Sequence, residues 1–237
     1  MAWYAKPSGG YAITSTEGNA NILEMNGFFN DKGYTLESQA GVIANCYHES
    51  ALNPWRWQSD NVSYSAGYGL FQFTPAQDYF NLSGQGILGY APNESVTGVT
   101  PGANPSDGWA QLIVLDDDIL GKWTTRCWRS YWSDYEANYG WMRDVILSTY
   151  GNGTSLTFEQ FKNISEGTGG YALNQAITFA TFAFLACYEG PLVPNIDVRS
   201  QTALEVYGIL SGDTPPEPPE PTPGFSQHTM PFYLYFI

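Results

Sequence analysis

The stretch Gln39-Ala-Gly-Val-Ile-Ala-Asn-Cys-Tyr-His-Glu49-Ser50-Ala-Leu-Asn53-Pro54 decides the fold of this chain. Leu36, Ala40, Val42, Ile43 and Tyr47 supply the apolar stripe of a helix that starts after Thr35, a good N-cap, and runs toward Glu49. Pro54 blocks its continuation. Upstream, Ile22, Leu23, Met25, Phe28 and Phe29 recur at helical intervals between Glu17 and Asp31, and Gly33 ends that helix. Residues 1–16, rich in Gly, Ser and Tyr, read as an extended arm.

Downstream the pattern changes. Short alternating segments with Gly67 and Gly69 between residues 58 and 73 predict a small hairpin or three-stranded sheet. Residues 81–108 are rich in Gly, Asn and Pro and show little periodicity. Helical patterns return at Trp109–Tyr131, Trp141–Tyr150, 157–163 and Arg199–Leu210. Tyr171–Glu189 is apolar on nearly all sides and predicts a buried central helix. The expected fold is mainly α, a helical domain over residues 17–212 with one small β element beside a cleft. From Thr214 the run Thr-Pro-Pro-Glu-Pro-Pro-Glu-Pro-Thr-Pro reads as a stiff spacer within residues 213–224. It leads to an apolar terminal segment, 225–237, that suits docking on a partner.

Composition excludes several functions. With 23 acidic and 9 basic residues among 237, the net charge of −14 disfavours nucleic acid and polybasic membrane contact. The three cysteines, Cys46, Cys127 and Cys187, suggest neither a disulfide framework nor a zinc cluster, and two histidines cannot build a multi-histidine metal site. His48-Glu49 lacks the second histidine of a zinc-protease motif, because Leu52 stands there. Cys46 and His48, two residues apart on a helix, point to different faces and cannot pair. The N-terminus carries no signal-peptide pattern, and the longest apolar run is too short to span a bilayer. No cofactor is implied. Cytoplasmic synthesis without a secretion signal is the expectation.

Glu49 is the foremost candidate for chemistry. At the C-terminal end of an apolar helix, the helix dipole disfavours its ionisation, and neighbours such as Trp55 or Phe71 would desolvate it. A carboxyl kept protonated near neutral pH is what protonating a glycosidic oxygen requires. A simple helix-end glutamate bonded to backbone or solvent is the plainer reading of position alone. An ordered ion pair with a basic side chain that leaves Glu49 buried and ionised would count against an acid role. Trp55, Trp57, Tyr64, Tyr68, Phe71 and Phe73 flank it with flat faces suited to pyranose rings, although alternation assigns about half of such a set to the core.

The order Glu49-Ser50, Asn53-Pro54, Gly67-Tyr-Gly69-Leu70-Phe-Gln72 and Pro75 resembles the lysozyme-like superfamily of goose-type lysozymes and lytic transglycosylases. A nearer resemblance is to the phage tail lysozymes, through Asn21-Ile22 to Gly33-Tyr34-Thr35, Gln39-Ala-Gly41 to Asn45, Phe184 to Pro191, and a downstream arginine such as Arg199. Residues 81–170 look like an enlarged insertion beside it.

The resemblance implies cleavage of the β-1,4 bond between N-acetylmuramic acid and N-acetylglucosamine, at a virion tail tip, during DNA delivery. It implies Glu49 as general acid, Gln72 lining the cleft, Gly69 letting the backbone approach the sugar, and Tyr188 beside the catalytic carboxyl. Glu189 departs from the family pattern after that tyrosine. Implied partners are glycan strands and, through the C-terminal tail, other tail proteins, with an endopeptidase domain often following the linker in related chains.

Retaining glycosidases place a second carboxylate ~5 Å from the acid, and inverting ones ~6.5–9.5 Å away. Asp60 is the nearest acidic residue in the right loop, where it either positions a water or caps a turn. Without a second carboxylate, a group of the substrate would act as nucleophile and the transglycosylase route would open. The competing expectations are an inactive glycan-binding or structural tail protein on the same scaffold, and a muramidase of host lysis.

Overall fold

The computed structural model describes residues 3–6, 9–60, 63–83, 102–103, 107–128, 132–191 and 193–213. The Pro-rich spacer and apolar tail, and much of the stretch 84–106, lie outside the described residues.

Three helices form the centre. Helix α2 (Leu36–Ser50) packs along α7 (Leu173–Phe184) and α8 (Ile196–Ser211), and these two also pack on each other. Gly41 makes the α2–α7 approach possible, because a Cβ there would stand 2.7 Å from the backbone nitrogen of Thr181. Asn45, one turn on, uses the same closeness, donating to Gly41 O at 2.8 Å and across the helix boundary to Thr181 O at 3.1 Å. Around this centre stand α1 (Thr16–Asp31), α3 (Ala76–Ser83), α4 (Asp107–Arg126), α5 (Trp132–Thr149) and α6 (Phe158–Lys162).

The helix starts follow their caps. Ser15 and Thr35 accept from the backbone nitrogens of Gly18 and Ser38, and Thr157 forms a capping box with Gln160. Helix α2 stops where Ala51 and Leu52 take positive φ, 49° and 60°. The reversal is held by buried Asn53, whose side chain donates to Lys6 O and Gly9 O and accepts from the nitrogens of Trp55 and Lys6. The Asn53-Pro54 element therefore straps the N-terminal segment to the end of the helix that carries Glu49. Trp3 is fully buried, and Tyr4 exchanges hydrogen bonds with Asn21 of α1, so the predicted extended arm is packed into the body.

The β content is smaller than predicted. The described residues between 58 and 73 form no sheet. Trp57, Tyr68 and Phe73 are joined only by isolated bridges, Trp57 to Tyr68 and Tyr68 to Phe73. The two-stranded ladder lies elsewhere, pairing Tyr4–Ala5 (β1) antiparallel with Gly102–Ala103 (β2). Ring packing takes the place of the missing ladder: Trp57 and Tyr68 lie 4.5 Å apart, and Phe73 stacks on Tyr79 of α3 at 5.0 Å. The predicted central helix runs to Phe184 and then opens into a π turn, Leu185–Glu189, closed by Gly190 at φ 59°.

Cys127 and Cys187 form a disulfide, contrary to the expectation of no disulfide framework. Spacing along the chain carried no hint of it, because the bridge joins the end of α4 to the π turn over a separation of 60 residues. Among the described residues, no helix is long and apolar enough to cross a membrane.

Candidate active site

The end of α2, the loop after it, α4 and the π turn enclose a cleft of about 460 Å³, whose lining includes Glu49, Arg56, Gln72, Lys122, Tyr188 and Glu189. The elements that meet there are tied by buried Gln111 of α4. Its Nε2 donates to Pro54 O at 2.6 Å, and its Oε1 accepts from the Leu70 nitrogen at 2.6 Å. One side chain thus fixes the Asn-Pro loop and the Gly-Leu loop to the same helix.

Glu49 lies in the last turn of α2 and is partly exposed to the cleft, 22% at the side chain. Its Oε1 accepts from Arg199 Nη2 at 2.8 Å. The guanidinium is buried, 7% exposed, and aimed by Asn45, whose Oδ1 accepts from Nη1 at 2.9 Å. Asn45 and Glu49 are four residues apart on one face of α2, so the helix period brings both to the same arginine. The sequence reading foresaw a desolvated Glu49. The structure instead shows it partly exposed and in an ordered ion pair with Arg199.

Gln72 lines the cleft with φ 46°, and its Nε2 donates to Arg56 O at 3.1 Å and Gly69 O at 3.0 Å. It braces the loop from within. Gly69 is not among the residues that line this cleft. At φ 80° its open side is filled by the Gln111 carboxamide, so the glycine serves packing. Trp55, Trp57 and Tyr68, expected to bind glycan, are 5%, 0% and 0% exposed and belong to the core, which removes them as stacking platforms. Alternation had assigned half of the aromatic set inward, but turn geometry and the packing of α3 buried more. Phe71 does line the cleft, edge-on to Tyr188. The side chain of Asp60 lies outside the described residues.

Tyr188 reaches the cleft from the π turn. Its hydroxyl donates to Asp118 Oδ2 at 3.4 Å and accepts from Lys122 Nζ at 3.4 Å, while Lys122 also pairs with Asp118 at 2.7 Å. Burial holds its phenol well above the usual tyrosine range. His48 bonds Thr202 through Nε2 at 3.0 Å, and burial with the nearby Arg199 charge lowers it to about 4, so it is neutral at physiological pH. Glu189, beside Tyr188, is driven the other way. Burial first, then the Glu49 charge, raises its carboxyl to about 8, against the opposing pull of Arg199, Lys122 and Arg126.

The basic lining was not read from the sequence. Arg56, Lys122 and Arg126 give the cleft three of the nine Lys and Arg residues in a chain of net charge −14. Their only trace in the sequence is the four-residue spacing of Lys122 and Arg126, which puts both on one face of α4.

Residues 20–210 match the family of phage tail lysozymes, and the chain belongs to that family. It is also similar to Morphogenesis protein 1 of Bacillus phage B103, 24% identical over 201 residues, which cover 84% of this chain and 42% of that protein. The chain thus spans less than half the length of this relative.

Proposed function

We propose that the protein is a phage tail-tip peptidoglycan glycosidase, cleaving the β-1,4 bond between N-acetylmuramic acid and N-acetylglucosamine to open the wall locally during DNA delivery. The observation that carries this reading is the placement of Glu49: a carboxyl at the end of α2, aimed into a polar cleft and fixed by Arg199, which Asn45 in turn aims. Glu49 is the carboxyl on which cleavage depends. Gln72 and Tyr188 line the glycan path, and Arg56, Lys122 and Arg126 suit the carboxylates that peptide stems add to a muramyl strand. Asp60, in the turn Gln58–Asp60 at the cleft edge, remains the candidate for positioning water. The apolar tail is proposed to dock on other tail proteins, placing the enzyme in the virion.

Cleavage needs a proton on the departing oxygen and stabilisation of positive charge at the anomeric carbon. A carboxylate bonded to Arg199 serves the second need directly. It serves the first only once protonated, so an acid role for Glu49 requires the Arg199 contact to give way when glycan enters.

The same ion pair favours a second reading, a glycan-binding tail protein without activity. Digestion of purified peptidoglycan separates the two. Release of new reducing ends supports a muramidase and 1,6-anhydro products a transglycosylase, while glycan binding without any release supports the second reading.

A further inference from the structure

The last turn of α4 carries Arg126, whose side chain is exposed and lines the cleft. Lys122, one turn earlier, lines it too. The two cations are not equivalent. The Lys122 ammonium is held by Asp118 at 2.7 Å and lies 4.6 Å from the centre of the Tyr188 ring. Arg126 makes no ion pair and no side-chain hydrogen bond among the described residues. The acidic groups around the cleft are occupied elsewhere: Glu49 is bonded by Arg199 and Asp118 by Lys122, while Glu189 acts on Arg126 only through space.

This runs against the composition. With 23 acidic side chains for 9 basic ones, carboxylates are plentiful, and other cations have found theirs: Lys32 pairs with Asp116, Arg143 with Glu136 and Asp144, and Lys162 with Glu159. The C-terminal end of a helix favours a cation, which accounts for a charge in the last turn of α4. It does not account for that charge standing uncompensated on the wall of a cleft. A guanidinium there offers a planar fork of donors that matches a carboxylate.

Resting on the reading of this cleft as a peptidoglycan site, we propose that Arg126 is a specificity residue: its guanidinium pairs with a free carboxylate of the peptide stem, so that the cleft selects strands whose stems are charged. Lys122, on the same face of α4, adds a fixed neighbouring charge but not the contact itself, because Asp118 holds it. The contact binds substrate and transition state alike, so it belongs in KM and not in kcat. The charge of the whole chain predicts the opposite preference. At −14 the protein repels an anionic wall, and neutralising the stems would by that effect alone strengthen binding. A dedicated contact at Arg126 reverses the sign.

The test is co-sedimentation of the full chain with purified peptidoglycan, freed of phosphate polymers, whose stem carboxylates are either intact or converted to amides with ethanolamine and a carbodiimide. Wild type is expected to bind the intact material about 10-fold more tightly than the amidated material. Arg126→Gln should lose that preference, and Arg126→Lys, which keeps the charge without the fork, should retain part of it. Arg143→Gln removes the same charge from α5 and should behave as wild type. Circular dichroism checks that each variant is folded. Equal or tighter binding of the amidated material by wild type overturns the proposal whatever the variants do. So does a preference that survives in folded Arg126→Gln, or one that Arg143→Gln loses equally. Binding is read directly, so the two failures stay separate: absence of reducing-end release by wild type refutes the glycosidase reading, and absence of the preference refutes this one. Where strands are cleaved, Arg126→Gln should raise KM about 10-fold on intact material, and a fall in kcat at unchanged KM overturns the assignment.

Discussion

Arg199 donates from Nη2 to Oε1 of Glu49 at 2.8 Å, joining α8 to the end of α2 across 150 residues of sequence. Asn45, bonded in turn to Thr181 O of α7, aims the guanidinium, so all three central helices converge on one ion pair. Replacing Arg199 by Met is expected to destabilise the fold by about 3 kcal/mol, because buried Asn45 groups lose their donor along with Glu49. Chemical denaturation measures this, and an unchanged midpoint would show that the pair is not part of the stabilising core.

The closeness of α2 and α7 gives a second test. Gly41→Ala puts a methyl 2.7 Å from the Thr181 nitrogen and 2.8 Å from the Ala180 carbonyl carbon. Backbone on both sides resists a shift, so a loss of about 1–3 kcal/mol is expected. Gly27→Ala, in α1 with nothing within 4 Å of the new methyl, is expected to gain about 0.5–1 kcal/mol instead. Thermal unfolding of the two variants should move in opposite directions.

Much of the helical frame was legible because its signals are local. Thr35 as cap, the stripe from Leu36 to Tyr47 and the stop near Pro54 each act within a few residues, and α2 follows them. The 58–73 region was misread because alternation of aromatics looks the same whether they form a ladder or interlock as rings around Tyr68 and Tyr79. Glu49 was legible as a candidate through motif order. Its ion pair, the Cys127–Cys187 bridge and the cationic rim of α4 were not, since each depends on which distant segments meet. Gly69 shows the same limit: the sequence marks the glycine, and only Gln111, 42 positions later, explains it.

Stability should vary with pH in a sense set by Glu189. Its folded carboxyl holds a proton up to about 8, while the unfolded one releases it near 4.5, so the native state binds more protons in that window. Stability is greatest below the lower value and is lost as pH rises toward the upper one. His48, lowered from 6.5 to about 4, acts with the opposite sign between those values. Glu189 therefore dominates of the two from about pH 6.5 to 8. Denaturation across that range should show wild type weakening with pH and Glu189→Gln varying less. Parallel slopes would contradict the assignment.

Thiol chemistry should report the bridge. Cys127 and Cys187 are joined, and Cys46 is buried with its thiol pushed up by burial, so the native protein should expose no reactive thiol. Unfolding without reductant should reveal one. Reduction should lower stability by about 2–4 kcal/mol, since the bridge closes a long loop and pins the turn that carries Tyr188 and Glu189. Three titratable thiols on unfolding would show that the bridge does not form.

The most direct test of the account is digestion of purified peptidoglycan by wild type and Glu49→Gln, with the products read by mass spectrometry. The amide keeps an oxygen for Arg199 but removes the carboxyl, so the variant should stay folded and release muropeptides at least about 100-fold more slowly than wild type. Equal release by a folded Glu49→Gln would contradict the central claim that this carboxyl drives cleavage.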